Sequence, residues 1–280
     1  MPGTLYLVAT PIGNLADITY RAVETLRAVS AIACEDTRHT RKLLDHYNIQ
    51  RPLLSCHEHN EAERALALLE RLRAGEDIAL VSDAGTPLIS DPGYRLVNAA
   101  VEAGIRVVPI PGAAALLCAL SASGLPTDSF YFHGFPPRKS GERGRFLTAL
   151  AGSGTVHVFY EAPHRILETL KDLAELLGDP PVVAARELTK LHEEFLRGAV
   201  SEVRKTLAAR PTVRGEIVLL FVPAAAVPAS DTAPTSIAAE VRALMQTESL
   251  AEKDALKRVA RARGMGKSEA YRELQRNRSK

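Results

Sequence analysis

Ser82-Asp-Ala-Gly-Thr-Pro-Leu-Ile-Ser-Asp-Pro-Gly93 is the stretch on which the reading of this 280-residue chain turns. It follows Ile78-Ala-Leu-Val81, an apolar run with the length and branching of a buried parallel strand, and it precedes Tyr94 to Ala103, where apolar residues recur at helical spacing. The twelve residues between are a strand-to-helix crossover. Such connections usually take about two to six residues, so one this long, carrying two Asp, two Gly and two Pro, is expected to be shaped around a ligand. Proline stiffens such a loop and glycine lets its backbone approach a ligand closely. An ordinary surface loop rich in turn formers would show the same composition, so the flanking segments have to decide.

Upstream, Thr4 to Thr10 reads as a first buried strand that ends in the turn Pro11-Ile-Gly-Asn14. Asp17 is expected to cap a helix through Val29, with Ile18, Ala22 and Leu26 on one face. Ala31 to Cys34 and Leu53 to Cys56 read as further strands, the first running into Glu35-Asp-Thr-Arg38, and Glu61 to Arg73 reads as a helix. Downstream, Gly104 to Ile110 is a strand closed by Pro111-Gly112 and followed by the small, apolar Ala113 to Ala122. Alternating strands and helices predict a parallel sheet covered on both faces, with ligands at the carboxyl ends of its strands.

The pattern breaks between Gly124 and Asp128, and a second α/β region follows. Its candidate strands are 130–133, 155–160, 182–186 and 216–222, with 193–198 as an antiparallel edge, and its helices lie near 141–151, 164–177 and 200–209. Pro223 to Ser236, almost wholly Ala, Pro, Ser, Thr and Val, reads as a linker. Beyond it, Ile237, Val241, Leu244 and Met245 form a helical stripe. Ser249-Leu-Ala-Glu252 reads as a capping box for a helix with Leu256, Val259 and Ala260 inside, and after Gly264-Met-Gly-Lys267 a last helix, capped by Ser268, carries Ala270, Tyr271 and Leu274. Two short helices joined by a glycine turn outline a helix-turn-helix, although a helical cap packed on the body fits equally well. The expected organisation is therefore α/β domains at 1–123 and 124–222, a linker at 223–236 and a basic helical domain at 237–280.

With 46% hydrophobic residues the chain has material for real cores, and no apolar stretch approaches the length of a membrane span. The opening segment lacks the basic and apolar regions of a secretory signal, and Cys34, Cys56 and Cys118 stand far apart, so a reducing cytoplasm is expected. The net charge of +2 divides unevenly, +5 over residues 237–280 and −3 over the rest. That asymmetry fits an acidic partner such as nucleic acid, as it also fits a solvated helical surface. Several familiar signals fail. Gly266-Lys-Ser268 lacks the earlier glycine and the strand of a P-loop, no G-x-G-x-x-G or G-x-S-x-G occurs, and His57-Glu-His59 has no third ligand at a recognised spacing, so no metal site is expected.

What remains is a series of unusual loops at strand ends: Thr10 to Asn14, Glu35 to Arg38, Ser82 to Gly93, Pro111-Gly112, Tyr160-Glu-Ala-Pro-His-Arg165 and Arg186-Glu-Leu-Thr-Lys190. Together with Gly134-Phe-Pro-Pro-Arg-Lys139 and Arg143, they resemble the tetrapyrrole-methylase-like family of S-adenosylmethionine-dependent methyltransferases, continuously over residues 3–222. Within that family the resemblance is to the group that methylates the ribose 2′-oxygen of a cytidine in the decoding region of small-subunit rRNA, many of which carry a small helix-turn-helix-like extension. Pro136 stands where the group has Leu, and Ala114 where Ser is frequent, which removes a side-chain hydroxyl from the cofactor site.

The resemblance implies two α/β domains of the tetrapyrrole methylase type with S-adenosylmethionine in the cleft between them, a homodimer, and small-subunit rRNA or the assembled small ribosomal subunit as partner. By motif match it implies cofactor contacts at Pro11, Asp83, Thr86, Ala114, Ala115, Tyr160 and Gly215. An aspartate at 83 also favours a sulfonium electrostatically, although capping its own loop would explain it too. Arg138, Lys139, Arg143 and Arg145 set four cations against Glu142, a plausible phosphate grip, joined by Arg165 at a helix start and by Lys267 and Arg272 in the tail. A ribose hydroxyl needs in-line placement and a proton acceptor or hydrogen-bond acceptor, for which Glu187, Lys190, His164 and Glu35 are unranked candidates. A tetrapyrrole or protein acceptor, and a non-catalytic DNA-binding sensor of a small ligand, are the alternatives.

Overall fold

The protein is described from a computed structural model covering residues 1–57, 60–225, 237–247 and 250–276. Glu58 and His59, Ser249, Arg278 and linker residues 226–236 lie outside the described residues. Residues Met1–Ala225 form one compact unit, and a second unit begins at Ala226.

The first sheet holds β1 (Thr4–Val8), β2 (Ala31–Cys34), β3 (Leu53–Ser55), β4 (Ile78–Val81) and β5 (Arg106–Ile110), in the order β3-β2-β4-β1-β5. Every pairing is parallel, as the apolar runs predict. Alternate residues enter opposite cores. Ile78 and Leu80 pack under α3 (Glu61–Arg73) and α4 (Tyr94–Glu102), while Ala79 and Val81 pack with Ala22 and Leu26 of α1 (Tyr20–Ala28). The chain leaves β1 towards β2 on one side of the sheet and leaves β4 towards β5 on the other. The crevice beyond the carboxyl ends of the adjacent β1 and β4 is thus a topological switch point, where open α/β sheets bind ligands.

Two local expectations are corrected here. The α1 helix is capped by Thr19, whose side chain accepts from the Ala22 N–H, and Asp17 instead ends a separate 3₁₀ turn at Leu15–Asp17. The segment after β2 forms a helix that the sequence did not announce, α2 (Thr37–His46), because Asp36 caps it by accepting from the Arg38 N–H. Its buried face is only Thr40, Leu43 and Leu44.

The second sheet holds β6 (Phe130–Phe132), β7 (Val156–Glu161), β8 (Pro181–Arg186), β9 (Glu194–Ala199) and β10 (Ile217–Phe221), ordered β6-β7-β10-β8-β9. It is mixed: β6 and β7 run parallel, and the other pairings are antiparallel, with β9 at the edge. All five residues of β10 are buried. Ile217, Leu219 and Phe221 face the core under α7 (Ile166–Leu177) and α8 (Val200–Ala208), and Leu147 of α6 (Ser140–Thr148) joins them. Val218 and Leu220 face the other way, against Leu116, Ala119 and Leu120 of α5 (Ala115–Ser121) and Ile12 of the loop after β1. This shared core joins the two α/β layers, each buried large side chain contributing roughly 1.5–3 kcal/mol.

The second unit is a three-helix cluster of α9 (Ile237–Thr247), α10 (Glu252–Ala262) and α11 (Lys267–Arg276). Ile237, Val241, Leu256, Val259, Ala270 and Leu274 form its core. The Arg263 guanidinium ties the end of α10 to Glu240 of α9 at 2.7 Å. The α10 helix begins at Glu252 with Ala251 as its N-cap, α11 begins one residue before Ser268, and Tyr271 turns outward, 56% exposed, instead of joining the core.

Candidate active site

Three loops at the carboxyl edge of the first sheet are tied to one another by hydrogen bonds. Thr10 and Gly85 exchange backbone bonds of 2.9 and 3.0 Å, and the Thr10 hydroxyl donates to the Ser82 carbonyl at 3.0 Å. The Thr86 hydroxyl donates to the Ala113 carbonyl at 3.2 Å, fastening the loop after β4 to that after β5. Gly85 sits at φ 81°, and a Cβ there would also press on Ile12. Leu88 and Ser90 hold left-handed backbone at φ 71° and 69°, a conformation that costs a non-glycine residue on the order of 1–2 kcal/mol. Such outliers persist where the surroundings over-determine them, which is the expected state of a ligand loop.

The opposite wall comes from the second sheet. Tyr160, near the end of β7, donates its backbone N–H to Gly134 at 2.8 Å, and its ring meets that of Phe135 edge-on with centroids 5.8 Å apart. Gly215 and Glu216 lead into β10. A Cβ on Gly215 would overlap the Glu187 carboxylate, so glycine is required for that close approach. Glu187 accepts from the Glu216 N–H at 3.2 Å and from Lys190 Nζ at 2.9 Å, and Lys190 also donates to Glu216 at 3.0 Å. The Lys190 methylenes lie against Gly13, so this network reaches across to the loop after β1. Burial alone lowers the Lys190 pKa, but the two carboxylates outweigh it and hold the amine charged above its ordinary value. Its hydrogen bond in turn holds the Glu187 carboxyl below its usual range.

Between these walls lies a cleft of about 430 Å³, within the ~300–1,000 Å³ typical of cofactor sites. Ile12, Leu188 and Val218 give it apolar sides. Its ionisable lining is acidic: Asp83, Asp91, Glu161 and Glu216, with no lysine, arginine or histidine among the lining residues. These carboxylates differ in state. Glu161 is fully buried and already satisfied by the Thr169 hydroxyl (2.6 Å), the Ala162 N–H (2.9 Å) and the Arg165 guanidinium (3.4 Å). Asp83 accepts the Asp36 N–H at 3.2 Å, which fixes the loop after β2. Burial pushes the Asp91 carboxyl up, only partly offset by a hydrogen bond from Ser82, and nearby Asp83 pushes it further. A cation entering the cleft relieves the strain of Asp91 and gains from its charge.

Of the residues assigned to the cofactor by resemblance, Asp83, Thr86, Ala114, Ala115, Tyr160 and Gly215 line this cleft, while Pro11 stands just outside, next to Ile12. Asp91, Phe135, Leu188 and Glu216 line it too, although sequence reasoning misses them. The signals for two of them are in the sequence: Asp91 is the second aspartate of the long loop, and Glu216 is the neighbour of Gly215. The candidates for the reacting proton scatter. Glu187 and Lys190 stand behind Glu216, whereas His164 is exposed in the turn after β7 and Glu35 lies at the end of β2. Lys190, held charged, is a donor and is corrected as a proton acceptor.

Two of the assigned phosphate contacts are corrected as well. Arg143 is 2% exposed, and its guanidinium lies 2.7 Å from Asp172 and 3.6 Å from Glu168, so it cements α6 to α7. Arg165 is turned inward: its Nη2 donates to the carbonyls of Pro136 and Pro137, at 2.8 and 3.1 Å, and its Nε lies 3.4 Å from the buried Glu161 carboxylate. Arg138 and Lys139 are exposed just before α6, Arg145 is exposed in its last turn, and Arg272 is exposed on α11, which Lys267 begins.

The sequence profile of the Tetrapyrrole (Corrin/Porphyrin) Methylases matches residues 4–204. The Ribosomal RNA small subunit methyltransferase I of Micromonospora olivasterospora is 54% identical over 218 residues, 78% of this chain and 70% of that protein. The protein of the same name from Synechocystis sp. is 47% identical over 273 residues, 97% of this chain and 92% of its own length. Among solved structures, uroporphyrin-III C-methyltransferase from Thermus thermophilus, complexed with S-adenosylhomocysteine, superposes with a TM-score of 0.55 at 20% identity, covering 79% of this chain and 97% of that one.

Proposed function

The chain belongs to the tetrapyrrole methylase family of S-adenosylmethionine-dependent methyltransferases, and from that starting point we propose that it methylates the ribose 2′-hydroxyl of a cytidine in small-subunit rRNA. The observation that carries the reading is the acidic, cation-free lining of a cofactor-sized cleft at the switch point of the first sheet. When bound there, the cofactor supplies an electrophilic methyl group on a sulfonium sulfur.

The chain's own residues do the rest. Asp83 and Asp91 favour a positively charged ligand, and the small Gly85, Ala114, Ala115 and Gly215 leave room for a nucleoside and an amino-acid moiety to lie close against the backbone. Ile12, Leu188 and Val218 exclude water from the reacting region. Pro11 supports the floor through Ile12. The Glu187–Lys190–Glu216 network sets the charge of the mouth, where Glu216 and Glu187 are the carboxylates available to an incoming hydroxyl, with His164 and Glu35 as the more distant candidates. Arg138, Lys139 and Arg145 contact RNA phosphates, as do Lys267 and Arg272 of the helical unit. The acceptor is naked rRNA or the assembled small subunit, the enzyme works in the cytoplasm as a homodimer, and residues 1–123 and 124–222 are its two α/β domains.

Incubating the protein with methyl-labelled S-adenosylmethionine and unmethylated small ribosomal subunits tests this. Label is expected in the RNA, in a 2′-O-methylcytidine after nuclease digestion and mass spectrometry. Label on a base, on protein or nowhere overturns the assignment.

A further inference from the structure

The helical unit contains a groove of its own, of about 670 Å³, bounded by α10 and α11. Lys253, Leu256 and Lys257 line it from α10, and Ser268, Tyr271 and Arg272 line it from α11. The spacings place each triplet on one helical face. Leu256 is 6% exposed and forms the floor. Tyr271 does not serve the core, which α11 fills with Ala270 and Leu274, and more than half of its surface stays open. The Arg272 side chain donates from Nε to the Ser268 carbonyl at 3.3 Å, which keeps the guanidinium beside the groove. Lys253 and Lys257 are exposed and, among the described residues, have no carboxylate within ion-pair distance, although Glu252 also stands at the rim.

An open aromatic face over an apolar floor, with three cations around it, is the recognition chemistry of an unstacked base and its flanking phosphates. A duplex reader instead projects a helix whose outer face enters a groove of the nucleic acid. Here the aromatic ring and the cations line a recess between two helices. We propose that this groove binds a nucleotide of single-stranded RNA, its base stacked on Tyr271 and its adjoining phosphates held by Lys253, Lys257 and Arg272. The assignment rests on the reading that the acceptor is RNA, and it turns the helical unit into a capture site for a looped-out strand.

Fluorescence anisotropy of a labelled single-stranded oligoribonucleotide with the full chain tests it. Tyr271→Ala is expected to weaken binding roughly 5- to 100-fold, the range that removal of one base–aromatic stack produces, and Tyr271→Phe to retain it. Lys253→Gln with Lys257→Gln is expected to flatten the slope of log K against log salt by roughly 0.7 for each phosphate no longer neutralised. Circular dichroism verifies that each variant is folded. Because Tyr271, Lys253 and Lys257 are exposed, none of these changes removes core packing. If wild type methylates ribosomal subunits while Tyr271→Ala and the double lysine variant bind the oligonucleotide as wild type does, the groove assignment alone is overturned. Tighter binding of duplex than of single strand overturns it too. If wild type neither binds RNA nor labels it, the RNA reading falls and the groove falls with it.

Discussion

Asp91 is the residue of the cleft whose chemistry is most open to test. Its carboxyl titrates above the ordinary aspartate range because it is buried and lies near Asp83. Protonation is therefore easier in the folded protein than in the unfolded chain, and as pH rises through the folded-state pKa the stability linked to the proton is lost. Asp91→Asn should leave the ligand-free protein as stable or raise its Tm by about 1–3 °C at neutral pH. The same change should weaken S-adenosylmethionine, which carries the sulfonium, more than S-adenosylhomocysteine, which does not. Wild-type affinity for the charged ligand should decline as acid protonates Asp91, and the variant's affinity should not follow that decline. Paired calorimetric titrations across pH read both effects; equal losses for the two ligands would remove Asp91 from the electrostatic argument. Arg143 makes the opposite point. With its partner carboxylates on α7, Arg143→Ala is expected to cost about 3–5 kcal/mol in denaturant unfolding by orphaning Asp172. Exposed Arg138→Ala should leave stability within about 0.5 kcal/mol and weaken RNA binding instead. The sequence could not separate these two arginines, because the carboxylates that neutralise Arg143 belong to a helix that only the tertiary fold brings near.

At the scale of elements, the strands were legible because a parallel strand buried on both faces leaves an uninterrupted apolar run, as in Ile78 to Val81, and the buried central strand Ile217 to Phe221 does the same. The long loop after β4 was legible because its prolines and glycines mark a shaped backbone, and its left-handed Leu88 and Ser90 were not, since nothing in those residue types announces a positive φ. The α2 helix is hard to see in sequence because Arg38-His-Thr-Arg-Lys42 hides a short apolar face behind charge. Its cap, Asp36, reads there only as the end of a strand. β6 and β7 carry a further consequence. His157 is buried, hydrogen bonded to His133 and Ser153 at 2.8 Å each, and stacked against Tyr131 and Phe221. Burial, with the neighbouring His133, lowers its pKa to about 4. A histidine depressed in the fold contributes stability above the unfolded pKa of about 6.5 and loses it as pH falls towards the folded value. Urea unfolding should therefore show stability falling between about pH 6.5 and 4, and His157→Gln should flatten that fall while lowering stability at neutral pH. An unchanged slope in the variant would assign the acid sensitivity to other groups.

For the whole molecule, the division of labour follows from charge and topology. The acidic cleft lies in the unit Met1–Ala225, and the excess positive charge lies in residues 237–280. Ending the chain after Ala225 should leave cofactor affinity within about twofold and raise KM for ribosomal subunits roughly tenfold or more, as expected when fewer phosphates are neutralised. Unchanged KM would reduce the helical unit to a passive appendage. The central claim, that the methyl donor occupies the cleft between the loop after β4 and the start of β10, is tested most directly by a crystal structure of the protein grown with S-adenosylhomocysteine. The account predicts the nucleoside and its amino-acid tail against Ala115, Gly215 and the carboxylates of Asp83 and Asp91. Density for the ligand at any other site, with this cleft filled by the protein's own side chains, would contradict it.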